Sequence, residues 1–334
     1  MNKEVLVIGG GPAGIECANS LISLGYKVFI VEKCSEPGGH LRKWDRLFPY
    51  GVSASETLDK LLQKSGKAIF FYDTEVQTIN KVDEKFVITL SDDTQLHVFS
   101  IVVATGFTLF SAAKKEEYGY GIYNGVITNA DLEDGFKTHK KELFRANRVG
   151  FVHCVGSRDE KVCNRHCSKV CCVTAVKQAC EYKDLNPDAE VYCFYMDLRM
   201  FGRGYEDLYL KAQNKYGIRF IRGRVSEVAE DVNGCLVVKA EDTLTSRPLK
   251  VTLDLLVLMS GMSKNDDNDK IADMLGIETE EDGFLSLSEP ALNNSLTVTE
   301  GVFLAGSVTG PKTLPETLNE ARAAALSVHK YLSR

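Results

Sequence analysis

Gly9-Gly10-Gly11-Pro12-Ala13-Gly14 follows a short apolar run at residues 3–8 and precedes a helical pattern that starts at Ile15 and continues through residues 21–24. A G-x-G-x-x-G placed between strand and helix restricts the start of the chain to a βαβ unit. The first glycine permits a tight turn, the second lets the backbone approach a pyrophosphate, and the third packs helix against strand. The helix N-terminus adds N–H donors and the positive end of its dipole. A second strand, at residues 27–31, ends on Glu32, 18 residues beyond Gly14, where a carboxylate accepts hydrogen bonds from a ribose diol. Gly9, Gly11, Pro12, Ala13, Gly14 and Glu32 are therefore the first candidate cofactor contacts.

The rest of the chain continues in the same style. A strand is expected at 69–72, a hairpin at 85–90 and 95–99 around Ser91-Asp92-Asp93-Thr94, and a buried strand at 101–104. A second α/β unit begins with a strand at 149–155. It continues with a helix at about 167–182, a strand at 190–195, a helix at 205–216 and a strand at 218–221, and its sheet finishes with 236–240 and 255–259. A strand at 301–305 and an Ala-rich helix at 315–332, opened by Pro315, close the chain. No internal repeat of fixed period is visible. The predicted fold class is α/β, with two Rossmann-like three-layer domains, the second inserted in the first. Residues 1–110 and 265–334 form the cofactor domain, 111–147 an inter-domain crossing, and 148–264 the second domain.

With 334 residues, 44% hydrophobic and 26% charged, the chain suits roughly two domains with buried cores. Its net charge of −6, with no Lys/Arg run, excludes a nucleic-acid partner. The longest mainly apolar stretch, 100–110, falls short of the ~18 residues that span a bilayer. Residues 1–8 include Glu4 and run straight into the glycine motif, so they are not read as a signal peptide, and the expected location is the cytoplasm.

FAD and NAD share the opening fingerprint, and three further features choose FAD. Gly38-Gly39-His40 follows the second strand, Ala104-Thr105-Gly106 ends a buried strand, and Gly301-Val302-Phe303-Leu304-Ala305-Gly306-Ser307 precedes the last helix. Together these resemble the FAD domain of the two-dinucleotide-binding flavoproteins, such as thioredoxin and glutathione reductases. The resemblance implies cofactor contacts at Gly39, His40, Val76, Ala104, Thr105, Gly106, Gly306, Ser307, Lys312 and Thr313. In those families an acid follows the late glycine and binds the ribityl chain, whereas Ser307 stands here. The final helix would aim its N-terminus, near Lys312 and Thr313, at the flavin pyrimidine edge, where a helix dipole favours the anionic reduced flavin.

Ten cysteines in a reducing compartment are not a disulfide framework, and six of them, Cys154, Cys163, Cys167, Cys171, Cys172 and Cys180, crowd one stretch. On the expected helix Cys167 and Cys171 share a face, with Cys172 about 100° around the axis. Such a thiol set suits an iron–sulfur cluster or zinc. No C-x-x-C occurs, against a zinc ribbon, a ferredoxin module and a thioredoxin-like dithiol alike.

His153-Cys154-Val155-Gly156-Ser157-Arg158-Asp159-Glu160, His166-Cys167-Ser168-Lys169-Val170-Cys171-Cys172, and Ala175-Val176-Lys177-Gln178-Ala179 resemble the flavin subunit of heterodisulfide reductase. So do Phe194-Tyr195-Met196-Asp197-Leu198-Arg199, Gly202-Arg203-Gly204-Tyr205-Glu206 and Gly310-Pro311-Lys312. By position, the resemblance implies [4Fe–4S] ligands at Cys154, Cys167, Cys171 and Cys172, with Cys163 as an extra cysteine and a candidate substitute. Lys177, five residues after Cys172, is the candidate to tune the flavin, against the plainer reading of a helix-surface lysine.

The chain lacks the ferredoxin cysteine runs of the methanogen subunits, so it resembles the short form in the heterodisulfide reductase-like complexes of sulfur oxidisers. That form implies B- and C-type partner subunits and a homodimer. The quinone-modifying oxidoreductase A-type subunit of sulfate reducers is the close alternative. The second domain has no G-x-G-x-x-G, since Gly202-x-Gly204 is followed by Tyr205, Glu206 and Asp207, so a nicotinamide site is not expected there. That absence weighs against a free-standing NAD(P)H-dependent flavin disulfide reductase. A scaffold with structural zinc is the rival from another class.

Overall fold

The structure is a computed structural model that describes residues 3–334. It divides into two compact units. Unit 1 holds Met1–Arg42, Ala54–Thr108 and Met262–Arg334, and unit 2 holds Lys43–Ser53 and Leu109–Gly261.

The apolar run opens unit 1 as the strand Glu4–Ile8, which lies mid-sheet because its residues from Val5 onward are buried on both faces. The five parallel strands run in the order Val302–Leu304, Ser100–Val103, Glu4–Ile8, Lys27–Val31, Ile69–Phe71. Helices Pro12–Ser23 and Leu314–Leu332 pack Leu21, Ala321, Ala324, Ala325 and Val328 against Val5, Val7 and Ile30. The other face meets an antiparallel meander of Val76–Val82, Lys85–Leu90 and Gln95–Val98, turned at Ser91–Thr94 as the sequence suggests.

Unit 2 repeats this plan with different residues. Its parallel strands run Val126–Thr128, Leu255–Ser260, Arg148–Val155, Glu190–Tyr195, Arg219–Arg222. Four of the five strands follow the same winding in both units, and each unit inserts a three-stranded antiparallel meander before its fourth winding strand. In unit 2 that meander is Val225–Glu230, Leu236–Asp242 and Arg247–Leu253. Leu236–Asp242 therefore does not continue the parallel sheet as its apolar sequence suggests; it alternates inward and outward residues, the mark of a strand with one wet face.

Residues 111–147 likewise do more than cross between domains. Val126–Thr128 forms the edge strand of unit 2, and helix Asn129–Thr138, opened by a Thr128/Asp131 capping box, buries Leu132 and Phe136 in its core. Phe151, fully buried on the central strand, packs in that same core. Phe151→Ala is expected to cost about 3–5 kcal/mol, read as a lower urea midpoint, while truncation of the exposed Phe201 should stay within about 0.5 kcal/mol.

Candidate functional site

In unit 1 the glycine loop folds as the strand-to-helix turn that its spacing predicts. Gly9 has φ +104°, and a Cβ there would lie 2.6 Å from the Ala104 carbonyl oxygen. A Cβ on Gly14 would strike the Gly9 carbonyl, whereas one on Gly11 meets nothing within 4 Å, leaving an open approach for a phosphate. Gly11 is the N-cap of helix Pro12–Ser23 and Pro12 fills its first turn; no side chain caps the helix, so its first N–H groups remain for an anion.

Glu32 is buried and closes the loop. The Gly10 N–H donates to its Oε2 at 2.8 Å and the Cys34 N–H to its Oε1 at 2.9 Å. Each oxygen keeps a second lone pair for a ribose hydroxyl. A cavity of about 80 Å³ opens beside it, lined by Glu32, Lys33, Val76 and Thr105 among others, so Val76 and Thr105 border the cavity next to the ribose position. Gly39, at φ +52°, brings its backbone against Gly11, and Gly106 also adopts a left-handed φ of +75°. Ala104 is buried at the end of its strand, and Gly306 packs on Ala13 so closely that a Cβ would sit 2.7 Å from the Ala13 methyl.

Four predicted contacts are more firmly held than loop residues would be. The His40 ring stacks on Phe107, centroids 4.3 Å apart, with Nε2 2.9 Å from the Phe107 carbonyl oxygen. Lys312 donates to Thr309 Oγ1 at 2.6 Å and pairs with Glu320 at 3.3 Å, while burial pushes the Glu320 carboxyl upward. Thr313 caps helix Leu314–Leu332 in a reciprocal box with Glu316, and Ser307 is buried in the turn before it. These residues make a cradle whose donors and small side chains fit a dinucleotide pyrophosphate.

In unit 2 the equivalent turn, after strand Arg148–Val155 and before helix Cys171–Leu185, is residues 156–170, and it carries cysteines where unit 1 carries glycines. Cys154 sits at φ +60° beside a register shift in the strand. The helix begins at Cys171, later than its sequence suggests, because Lys169 is left-handed at φ +60° and stops the helical turn. Cys167 thus lies in the loop and shares no helix face with Cys171. It is nevertheless among the charges that act on Cys154, Cys171 and Cys172, so the fold brings all four thiols within electrostatic range. Cys163 is exposed at a left-handed position, whereas Cys154, Cys171 and Cys172 are buried.

The surroundings supply donors to sulfur. The Lys169 N–H lies 3.3 Å from Cys167 Sγ, Ser168 donates to Cys171, and the Arg199 N–H donates to Cys172. Cys171 and Cys172 also open a helix that no side chain caps. Against these, burial pushes Cys154 up to about 12 and Cys171 well above the usual thiol range. Bare thiols in this pocket stay protonated, and a bound metal is what would ionise them. Among the described residues no three His, Cys, Asp or Glu side chains converge to hold a single metal ion. The donor set fits a cluster better than one zinc, because a cluster binds each thiolate to a different iron and spreads them apart.

Arg158 and Arg199 add positive charge beside Cys154 and Cys172. Arg158 is tethered to Asp197 at 2.8 Å, and that pairing holds the Asp197 carboxyl below its usual range. The Asp159 carboxylate accepts from the buried Lys115 at 2.7 Å, which ties down the start of the loop. These partners lie far apart in sequence and follow no spacing rule, so sequence reading did not single them out. His153 is buried with neither ring nitrogen hydrogen-bonded, and burial lowers it to about 4, so it stays neutral.

Lys177 is not the surface lysine of the plainer reading. It is buried; its ammonium donates to the Arg46 carbonyl at 2.8 Å and to Glu133, and it lies 3.2 Å from the Glu181 carboxylate. These contacts, all within unit 2, make it the hub of an ion network.

Residues 1–146 match the pyridine nucleotide-disulphide oxidoreductase family. The chain is 32% identical to the A-type iron–sulfur subunit of CoB–CoM heterodisulfide reductase from Methanocaldococcus jannaschii, over 98% of this chain and 64% of that protein. It is 42% identical to the A-type subunit of the H2/formate:CoB–CoM heterodisulfide,ferredoxin reductase from Methanococcus maripaludis, over 70% of this chain and 37% of that protein. The chain is thus a homologue of heterodisulfide reductase A-type subunits over most of its own length. It spans under two thirds of these relatives' length, and the M. jannaschii alignment runs over 421 positions against 334 residues here, so that relative carries insertions within the matched region. Among solved structures, thioredoxin reductase of Lactococcus lactis aligns with a TM-score of 0.71 at 19% identity, over 99% of each chain. That of T. acidophilum aligns at 0.68 and 19%, over 100% of each. The fold is that of the thioredoxin reductase-like two-domain oxidoreductases.

Two outcomes test this geometry. Gly14→Val should abolish FAD retention, seen as loss of flavin absorbance from the purified chain. Burial pushes Glu181 up to about 7, outweighing Lys177. A carboxyl raised in the folded state contributes stability at low pH that is lost as pH rises through about 7. Glu181→Gln is expected to leave stability unchanged at pH 5 and to raise it by about 2 kcal/mol at pH 8 in urea titrations.

Proposed function

We propose that the chain is an FAD- and [4Fe–4S]-containing electron-transfer subunit of a heterodisulfide reductase-like complex. In this reading it works with B- and C-type partner subunits on thiol–disulfide chemistry in sulfur oxidation, as a homodimer in the cytoplasm. One observation supports it: the strand-to-helix turn of unit 2, the counterpart of the glycine loop of unit 1, is flanked by the buried Cys154, Cys171 and Cys172 and carries the half-buried Cys167. The match to the pyridine nucleotide-disulphide oxidoreductase family supports FAD as the occupant of unit 1.

Bound there, FAD supplies a centre that takes one or two electrons, and a cluster supplies one that takes one. The residues bind and tune. Gly9, Gly11 and Gly14, with helix Pro12–Ser23, receive the pyrophosphate, and Glu32 holds the ribose. Lys312 and the Thr313-capped helix present positive potential toward the cofactor side of unit 1. Cys154, Cys167, Cys171 and Cys172 hold the cluster. The donors from Lys169, Ser168 and Arg199, and the charges of Arg158 and Arg199, stabilise negative sulfur and raise the affinity of the site for an electron.

Anaerobic purification with flavin, iron and acid-labile sulfide quantified tests the reading. About one FAD, four iron and four sulfide per chain are expected, and Cys171→Ala should keep the FAD and lose the iron. Flavin with zinc, or with no metal, would overturn it.

A further inference from the structure

The turn that carries Cys167 folds as a small hairpin, and two hydroxyls that the proposed function leaves unexplained close its base. The Arg158 N–H donates to the His166 carbonyl at 2.9 Å, the Asp159 N–H to the Asn164 carbonyl at 2.8 Å, and the Asn164 N–H back to Asp159 at 3.1 Å. The Asn164 side-chain amide adds a bond to the Gly156 carbonyl at 3.0 Å. This ladder holds the exposed Cys163 at the tip and returns the chain to Cys167 at the base. There the hydroxyls of Ser157 and Ser168 hydrogen-bond each other, and both residues are fully buried. A base that needed packing alone would be served as well by two apolar residues of similar size.

Gly261 holds the pair in place. It follows strand Leu255–Ser260, its N–H donates to the Val155 carbonyl at 2.9 Å, and a Cβ on it would strike both serine oxygens. Proton counting then sets the direction of the chain of bonds. Ser168 donates to Cys171, and a hydroxyl has a single proton, so Ser168 must accept from Ser157. The order runs from Ser157 to Ser168 to Cys171 Sγ. Each donation polarises the next hydroxyl, so the first serine strengthens the bond that the second makes to sulfur.

We propose that Ser157 and Ser168 form a buried hydroxyl relay that sets the electron affinity of the cluster through Cys171, with Ser157 a positioning residue that acts through Ser168. The proposal rests on the reading of Cys171 as a cluster ligand. An added electron increases the negative charge on the cluster's sulfurs, and a donor fixed on one of them favours the reduced form. In the test the electron comes from dithionite; the cluster gains it, the relay keeps its protons, and no bond is made or broken.

The full chain is purified anaerobically with its flavin, iron and sulfide counted, and the cluster midpoint is read by a redox titration followed by electron paramagnetic resonance. Ser168→Ala should weaken the electron affinity about tenfold, a fall of about 59 mV for a one-electron couple. Ser157→Ala should weaken it about threefold, and the double variant should match Ser168→Ala alone, because Ser157 acts through Ser168. Gly261→Ala, which drives a methyl group against both hydroxyls, should lower the midpoint while removing neither. Shifts that add in the double variant, or midpoints unchanged in variants that keep their iron, overturn the proposal. If the alanine variants lose iron, Ser168→Thr decides: iron retained with the hydroxyl supports the relay, and iron lost there too assigns the pair to packing and overturns it. A wild-type chain that holds FAD but no iron removes the cluster reading and the relay together, an outcome distinct from an iron-loaded chain whose midpoint ignores the serines.

Discussion

At the C-terminal edge of a parallel sheet the strand ladder stops, and the next helix exposes its first N–H groups. Both units depend on how that edge is filled. In unit 1 the turn after Glu4–Ile8 is built of glycines, because carbonyls at Gly9 and Ala104 stand where side chains would be and the space above Gly11 must stay open. In unit 2 the turn after Arg148–Val155 spans residues 156–170, and sulfur occupies the edge. One sheet winding thus carries two chemistries, an anion cradle and a thiol pocket, that differ in the length of the turn and in the side chains that line it.

The thiol pocket carries an electrostatic conflict that shapes its neighbourhood. Burial opposes ionised sulfur at Cys154, Cys171 and Cys172, while the uncapped helix start, three hydrogen-bond donors and two arginines favour it. A cationic metal core resolves the conflict without leaving bare charge in a dry site. Lys115 and Asp197 then act as struts, fixing the start of the loop through Asp159 and Arg158.

What the sequence disclosed follows the range of the interactions concerned. The glycine loop, Glu32, the hairpin at Ser91–Thr94 and the Pro-opened start of the last helix are local patterns, and they lie where the pattern puts them. Non-local competition decided the rest. The helix start moved to Cys171 because Lys169 turns left-handed, a backbone choice that the run Cys167 to Cys172 does not advertise. Leu236–Asp242 was drawn into a separate antiparallel meander by partners on either side of it in the chain. Lys43–Ser53 joined unit 2 because the Arg46 carbonyl and the Asp45 N–H meet Lys177 and Glu133, two residues no local motif links to it. The ion pairs of Lys177 were not legible in the sequence either, since its carboxylate partners come from another helix and from its own next turn.

The central claim is that Cys154, Cys167, Cys171 and Cys172 in unit 2 hold an electron-accepting cluster within the same chain that binds FAD. Electron paramagnetic resonance of the anaerobic, dithionite-reduced protein tests it directly. The account predicts a half-integer-spin signal integrating to about one spin per chain, with the g-values of a reduced [4Fe–4S] centre. A reduced flavoprotein that shows no such signal, although its FAD is fully occupied, would contradict it.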